Sequence, residues 1–297
     1  RRRLEAELLA DVGEAALAGV PPVLLLPRPR IGIEHHALRS RKAEETSATG
    51  AADHFQFRGR PQGGWFAGAG SMSEADSVKQ CCARAYESDF ARILLGESFH
   101  PGGVRLTERL GVLLGLTPDS RVLDVASGNG ASVFYIAEHF GCQVVGIDYS
   151  AKNAESANES AHAKGLTERV RFHLGDAERL PVEDSVFDAV ICECAFCTFP
   201  DKESAAREFA RVLRHGGVVG MSDLTRGPSL PEDLNGLLAW VACIADAQPV
   251  EGYAGYLRRA GLRVDWIEKH DEELSVMVSR VRRRLLGAEI AGGLKKI

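Results

Sequence analysis

The chain has 297 residues, of which 45% are hydrophobic, and it carries a formal net charge of −5 at pH 7. This length allows one large or two modest domains, and the apolar fraction is enough for a buried core. The acidic balance argues against a general nucleic-acid binder, and no apolar run is long enough to span a bilayer. Seven cysteines are an odd number, which favours reduced thiols in a cytoplasmic protein over a disulfide scaffold.

Residues 1–71 differ in composition from the rest of the chain. They hold paired prolines, a basic run over 39–42 and several glycines, and only Leu4–Leu17 has helical spacing. We therefore expect a poorly ordered extension here. One hypothesis is that Met72, the first methionine, is the natural start and that the preceding residues come from an over-long gene assignment. The alternative is the remnant of a fused domain.

A helical cap is predicted over residues 72–115. Apolar residues at helical spacing predict a helix over Ser77–Leu95, and the run His100-Pro101-Gly102-Gly103 breaks it. A second helix is predicted over Thr107–Leu114. Residues 116–297 then form the core, which ends in a helix.

The stretch Arg121–Ser150 has the pattern of a strand, a tight turn, a helix and a second strand. The turn is Ser127-Gly128-Asn129-Gly130, the helix covers Ala131–Phe140, and the strand Val144–Ile147 stops at Asp148. This is a βαβ half of an open parallel sheet, and such sheets bind ligands beyond the carboxyl ends of their strands. Glycines let the backbone approach a ligand, and an acid after the second strand can accept the ribose hydroxyls.

The turn matches neither the dinucleotide nor the phosphate-binding motif. A dinucleotide fingerprint needs a third glycine where this chain has Val133, and no G-x-x-x-x-G-K-[ST] loop is present. Asp124 lies upstream of the glycines, at the end of the first strand. This position suits a cationic nucleoside without phosphates better than a pyrophosphate.

The alternation of strands and helices continues to the end of the chain. The predicted helices are Ala151–Lys164, Lys202–Leu213, Pro231–Ala245, Gly252–Ala260 and Glu272–Leu286. The predicted strands are Val170–Leu174, Val186–Cys192, Val218–Ser222 and Arg263–Glu268. The fold class is therefore α/β, a mostly parallel sheet with helices on both faces.

The run from Asp124 to Gly130 resembles the first motif of class I S-adenosylmethionine (SAM)-dependent methyltransferases, Asp/Glu-x-Gly-x-Gly-x-Gly, with Ala126 in place of the first glycine. Further segments follow in family order: Asp148, Gly175-Asp176-Ala177, Phe187-Asp188-Ala189-Val190 and Arg211 to Gly217. The resemblance implies a Rossmann-like fold and SAM as cofactor. Class I sheets usually finish with an antiparallel seventh strand, and because no such strand is evident before Ile297, we expect it to be lacking.

The resemblance also implies where the cofactor lies. The ribose is expected on Asp148 and the adenine near Asp176, while Tyr86 and the loop Phe99–Gly103 are candidates for closing the pocket. The cofactor-binding residues expected at the strand ends and in the cap are Asp124, Ala126, Ser127, Gly128, Gly130, Asp148, Tyr149, Asp176, Ala177, Glu178, Glu193 and Tyr86.

The cysteines suggest an acceptor. Cys194 and Cys197 follow the fourth strand of the core, Cys243 lies in a later segment, and Cys81 and Cys82 lie in the cap. Thiolates are soft ligands and suit thiophilic centres. Trivalent arsenic with three sulfur ligands keeps a lone pair that can attack a methyl group, so no general base is needed.

The layout resembles the arsenite methyltransferases. Cys194 precedes Phe199-Pro200-Asp201-Lys202, and Cys243 follows Ser222-Asp223 and Leu230-Pro231-Glu232, as in that family. The family's Tyr-Tyr-Gly element is missing, and its Gly-Gly-Ala segment has become Ile244-Ala245-Asp246.

The leading prediction is SAM-dependent methyl transfer to a thiol-bound trivalent metalloid such as arsenite, held by Cys194 and Cys243. Cys81, Cys82 and Cys197 are further candidate thiols. The expected partners are a thiol reductant and a small-molecule or metalloid substrate, without nucleic acid, membrane or structural metal, in a monomer or weak dimer.

Two alternatives remain. The first is methylation of oxygen, nitrogen or carbon on a small organic acceptor, with Glu193 or His100 as the base and the cysteines as core residues. The second is a protein that binds SAM without catalysis.

Overall fold

The computed structural model describes residues 33–42, 74–96, 98–226 and 246–294. The strands are β1 (Ile33–Lys42), β2 (Arg121–Val125), β3 (Gln143–Asp148), β4 (Val170–Leu174), β5 (Phe187–Glu193), β6 (Leu213–Arg226) and β7 (Leu262–Lys269). The helices are α1 (Glu74–Tyr86), α2 (Asp89–Leu95), α3 (Val104–Leu114), α4 (Ala131–His139), α5 (Ala151–Ala163), α6 (Lys202–Val212), α7 (Val250–Arg259) and α8 (Asp271–Leu294).

The strands form a seven-stranded sheet in the order β4-β3-β2-β5-β6-β1-β7. Neighbours from β4 to β6 pair in parallel, as predicted for a Rossmann-like class I fold. β1 is antiparallel to both β6 and β7. The sheet therefore contains an antiparallel strand next to its edge, and the N-terminal part of the chain supplies it.

β1 corrects the expectation for residues 1–71, since residues 33–42 are an inner strand of the sheet. Its Ala37 and Leu38 are 0% and 1% exposed. The sequence pattern does not predict this strand, because it lacks the alternation of a strand with one buried face. The run is Ile-Glu-His-His-Ala-Leu-Arg-Ser-Arg-Lys. Pairing with two neighbouring strands stabilises it instead. The expectation for the predicted helix Leu4–Leu17 lies outside the described residues.

Helices cover both faces of the sheet, as predicted. On one face, a buried cluster joins β-strand residues to α6 and α7 through side chains such as Phe209 and Leu257. On the other face, a second cluster includes Leu114 of α3, Ile136 of α4 and Ala157 of α5. The helix α3 packs directly on the sheet. A Cβ added at Gly220 of β6 would lie only 2.8 Å from Leu114, so the glycine leaves room for this close contact.

Most predicted elements are confirmed to within a few residues, and Ser150 caps α5 by accepting from the Asn153 amide at 3.1 Å. The predicted helix Ser77–Leu95 is two helices, because Ser88 accepts from the Ala91 amide and begins α2. The predicted helix Pro231–Ala245 lies outside the described residues. In the described part of the chain, α8 and the other helices are too short or too polar to cross a membrane.

We expect β1 to be required for folding. A variant lacking residues 1–71 would leave the facing edges of β6 and β7 without hydrogen-bond partners, so its Tm should fall by about 10 °C or more. The measurement is thermal unfolding followed by circular dichroism. A variant lacking only residues 1–31 keeps β1 and is the matched control; equal Tm values for the two variants would refute the role of β1.

The side chain of His35 on β1 predicts a loss of stability in acid. It is 0% exposed, and neither ring nitrogen has a hydrogen-bond partner among the described residues. Burial, followed by the neighbouring histidines, lowers the pKa of His35 from 6.5 to about 3. The neutral ring therefore favours the folded state above pH 6.5, and this contribution is lost as the pH falls from 6.5 towards 3.

Replacing His35 by leucine should weaken this pH dependence and raise the free energy of unfolding at pH 5 by about 1–3 kcal/mol. Urea unfolding between pH 4 and pH 8 would measure it, with the exposed His162→Leu as control. The assignment fails if both variants keep the pH profile of the unmodified protein.

Candidate active site

Carboxylates from four neighbouring strands meet at one edge of the sheet. Asp124 is in β2, Asp148 ends β3, Asp176 follows β4, and Glu193 ends β5. All four line one cavity. Because the strands are parallel, their carboxyl ends share this edge, where open α/β sheets bind their ligands.

The glycine-containing turn between β2 and α4 forms one wall of the cavity. The amide of Gly128 donates to Asp148 Oδ2 at 2.8 Å, which ties the turn to the end of β3. Gly130 has φ of 83°, and a Cβ there would lie 2.5 Å from the Phe172 ring. Ala126 also has positive φ, 62°, which costs a non-glycine residue roughly 1–2 kcal/mol and explains why the resembled motif has glycine there.

Asp148 is oriented from several sides. Its Oδ1 accepts from the Ser150 amide at 2.8 Å and from Asn153 Nδ2 at 3.3 Å. Burial raises the pKa of Asp148, and these donors partly offset the rise. A held carboxylate at the end of β3 can accept hydrogen bonds from a pair of ribose hydroxyls.

Asp124 is the most perturbed of the cavity carboxylates. It is 3% exposed. Burial, and then the charges of Glu193 and Asp148, raise the pKa of Asp124 well above its usual value. A cationic ligand relieves this concentration of negative charge. These carboxylates therefore fit SAM, which carries a sulfonium and an ammonium group.

Helix α1 forms another wall of the cavity. Lys79, Cys82, Ala83 and Tyr86 of α1 line it at helical spacing. The ring of Tyr86 lies 5.9 Å from that of Phe99, centroid to centroid. Tyr149 and Ala177 also line the cavity, while Glu178 donates its amide to Asp176 Oδ1 at 2.9 Å.

A polar cluster surrounds Glu193 at the other end of the cavity. Glu193 Oε2 accepts from Ser132 Oγ at 2.6 Å and from Thr107 Oγ1 at 3.0 Å. His100 Nε2 lies 3.6 Å from the same oxygen and 3.4 Å from Ser132 Oγ. His100 Nδ1 lies 3.1 Å from the Pro101 carbonyl oxygen.

The structure separates the predicted thiols. Cys82 and Cys194 line the cavity, and Cys194 has φ of 53°. Cys81 is not among the lining residues, and Cys197 is 1% exposed within the hydrophobic core. Cys243 lies outside the described residues, so its part in a thiol site stays a prediction.

Sequence reasoning missed the residues that hold Glu193 and the lysine that contacts Asp176. Thr107 and Ser132 are 86 and 61 residues from Glu193 along the chain. They belong to no motif, and neither does Lys79. The available signal was the position of Ser132, in the first turn after the glycines.

The perturbed pKa of Asp124 predicts a gain in stability for Asp124→Asn. A raised folded-state pKa favours folding at low pH, and this contribution is lost as the pH rises through that pKa. The variant should therefore unfold a few degrees higher than the unmodified protein at neutral pH without SAM, and bind SAM about tenfold more weakly.

The affinity of the unmodified protein for SAM should rise with pH as Asp124 loses its proton, and the variant should lose this dependence. Calorimetric titration from pH 5 to pH 9 tests both statements, with the exposed Asp119→Asn as control. An unchanged pH dependence in Asp124→Asn would contradict the assignment.

The sequence pattern of the methyltransferase domain family matches residues 123–221. The chain is 32% identical over 196 residues to 27-O-demethylrifamycin SV methyltransferase of Amycolatopsis mediterranei, covering 61% of this chain and 72% of that enzyme. It is 32% identical over 160 residues to an arsenite methyltransferase of Halobacterium salinarum, covering 53% of this chain and 41% of that enzyme.

The fold also has a counterpart among solved structures. Haemonchus contortus phosphoethanolamine N-methyltransferase 2 superposes with a TM-score of 0.56 at 22% identity, covering 62% of this chain and 44% of that one. This likeness concerns the fold. The chain spans between 33% and 72% of the length of the curated relatives that it matches.

The relatives agree with the geometry at the sheet edge. The methyltransferase relatives, among them structures with bound SAM or S-adenosylhomocysteine, support SAM as the cofactor. The chain belongs to the SAM-dependent methyltransferases.

Proposed function

We propose that the protein transfers the methyl group of SAM to an oxygen or nitrogen of a small organic acceptor. The observation that carries this proposal is the pairing of His100 with Glu193 on the cavity wall, 3.6 Å apart. Methylation of a hydroxyl or an ammonium group requires a base beside the atom that receives the methyl group.

The hydrogen bonds around His100 support its role as the base. A carbonyl oxygen only accepts, so the contact with Pro101 requires the proton on Nδ1. Nε2 of the neutral ring then keeps its lone pair. Glu193 faces that nitrogen and would stabilise the imidazolium that forms when Nε2 takes a proton.

The residues of the chain would divide the work as follows. SAM, when bound, supplies an electrophilic methyl group on its sulfonium. Asp148 would hold the ribose and Asp176 the adenine amino group. The backbone of the turn at Gly128 would lie against the cofactor. His100 Nε2 would take the proton that the acceptor loses as its oxygen or nitrogen gains the methyl group, while Ser132 and Thr107 hold Glu193 in place.

The charge of the cavity favours a neutral or cationic acceptor. Lys79 is the one lysine or arginine among the described lining side chains, and it is paired with Asp176 and Glu178. An anionic acceptor would meet Glu193 and Asp124 without a counter-charge. A neutral alcohol or an amine needs no counter-charge there.

A second candidate is methylation of a thiol-bound trivalent metalloid, favoured by Cys82 and Cys194 in one cavity. It would need a thiol reductant and a third sulfur ligand. Among the described residues no group of three His, Cys, Asp or Glu side chains could hold a metal ion. Cys243 or an external thiol would have to complete such a site.

The test is transfer of tritium from [methyl-³H]SAM to a panel of small alcohols and amines, and to arsenite with glutathione. For an organic acceptor, His100→Gln should lower the rate by about 10²–10⁴-fold with little change in SAM affinity. Cys194→Ser should leave it nearly unchanged. The exposed His162→Gln and the buried Cys142→Ser are matched controls.

The opposite pattern, arsenite methylation lost in Cys194→Ser and kept in His100→Gln, would replace the first candidate by the second. Tight SAM binding without turnover of any acceptor would favour a non-catalytic SAM-binding protein.

A further inference from the structure

Helix α1 is tied to the adenine side of the cavity by an ion pair that is partly shielded from solvent, with Asp176 29% exposed. Lys79 Nζ lies 2.8 Å from Asp176 Oδ2 and also contacts a carboxylate oxygen of Glu178. The side chains of Lys79 and Glu178 are 11% and 13% exposed. Salt therefore screens this pairing less than it screens a surface pair.

The anchor itself is held in place. Glu178 Oε1 accepts from the Asp201 amide at 2.7 Å, just before α6, and the Glu178 amide donates to Asp176 Oδ1. Burial acts to lower the pKa of Lys79, but the two carboxylates outweigh it and the pKa is raised. The two carboxylates therefore favour the charged form of Lys79.

A second tie fixes the end of α1. Glu87, one residue beyond the helix, accepts from Ser150 Oγ through its carboxylate and from Lys152 Nζ through its carbonyl, the latter at 3.2 Å. Ser150 in turn donates its amide to Asp148 Oδ1. The helix thus bridges the ends of β3 and β4, directly above the residues proposed to hold the ribose and adenine.

We infer that Lys79 is a positioning residue that latches α1 over the nucleoside half of the SAM site. Asp176 and Glu178 together give its ammonium group two anchors. The adenine amino group can therefore take a lone pair of Asp176 while Glu178 keeps hold of Lys79. The latch is then closed both with and without SAM, and the cofactor enters and leaves when it opens. This inference rests on the proposed adenine role of Asp176.

A latch that is closed in both states controls rates more than affinity. Lys79→Met should raise the association and the dissociation rate constants of SAM about tenfold each, so that Kd changes less than threefold. Lys79→Arg should restore slow exchange. Arg84→Met removes the same charge from the exposed side of α1 and is the matched control, with unchanged rates.

Glu178→Gln separates the two anchors. Without SAM, Asp176 still holds Lys79, so the association rate constant should stay near that of the unmodified protein. With SAM bound, the remaining anchor is shared with adenine, so dissociation should accelerate. Rapid mixing with [methyl-³H]SAM followed by a chase of unlabelled SAM measures both constants.

A measurement without ligand completes the test. Amide hydrogen exchange in α1 of the SAM-free protein should be faster in Lys79→Met than in Arg84→Met. Unchanged rate constants in Lys79→Met, or weaker affinity without faster association, would overturn the latch. Unchanged SAM affinity in Asp176→Ala, which removes the acceptor oxygens, would instead overturn the adenine assignment, and a failure to methylate any acceptor affects neither.

Discussion

The structure depends on the electrostatic cost of gathering carboxylates at one sheet edge. Asp124 and Asp148 are 3% and 8% exposed, and Glu193 raises the pKa of Asp124 further. Each carboxylate is unfavourable there without donors or a cation. The turn amides, the serine and threonine hydroxyls and a cationic cofactor are the groups that offset this cost. The same cluster therefore accounts for the local hydrogen bonding of the site and for its negative charge.

The far end of the sheet is linked to the Glu193 end of the cavity through a chain of contacts. β1 holds β7 in the sheet, and Glu268 of β7 accepts from Arg109 of α3 at 3.0 and 2.9 Å. The Arg109 guanidinium is the main cause that lowers the pKa of Glu268 to about 2. On the same helix, Thr107 donates to Glu193. A strand distant from the cavity thus contributes to the position of its central carboxylate.

The parallel half of the fold could be predicted from local pattern, because each βαβ unit carries its own periodicity and turn residues. α4 and β3 are predicted within one residue of their observed bounds, and the acids Asp124 and Asp148 lie at the ends of β2 and β3 as expected. β1 could not be predicted. Its hydrogen-bond partners are about 180 and 230 residues away in the chain, and nothing in its own sequence requires an inner strand.

For the site, the sequence by itself determined the cofactor side. The turn with Gly128 and Gly130 and the acids Asp124, Asp148 and Asp176 occupy positions that local chain geometry sets relative to the strands. Only the tertiary structure decided which side chains of the cap and of the Glu193 end of the cavity contact one another. Two contacts join segments that are distant in the chain: His100 with Glu193, and Lys79 with Asp176. The fold also decides that Cys82 and Cys194, unlike Cys81, line the cavity. Such contacts arise from packing between helices and sheet, which residue spacing does not encode.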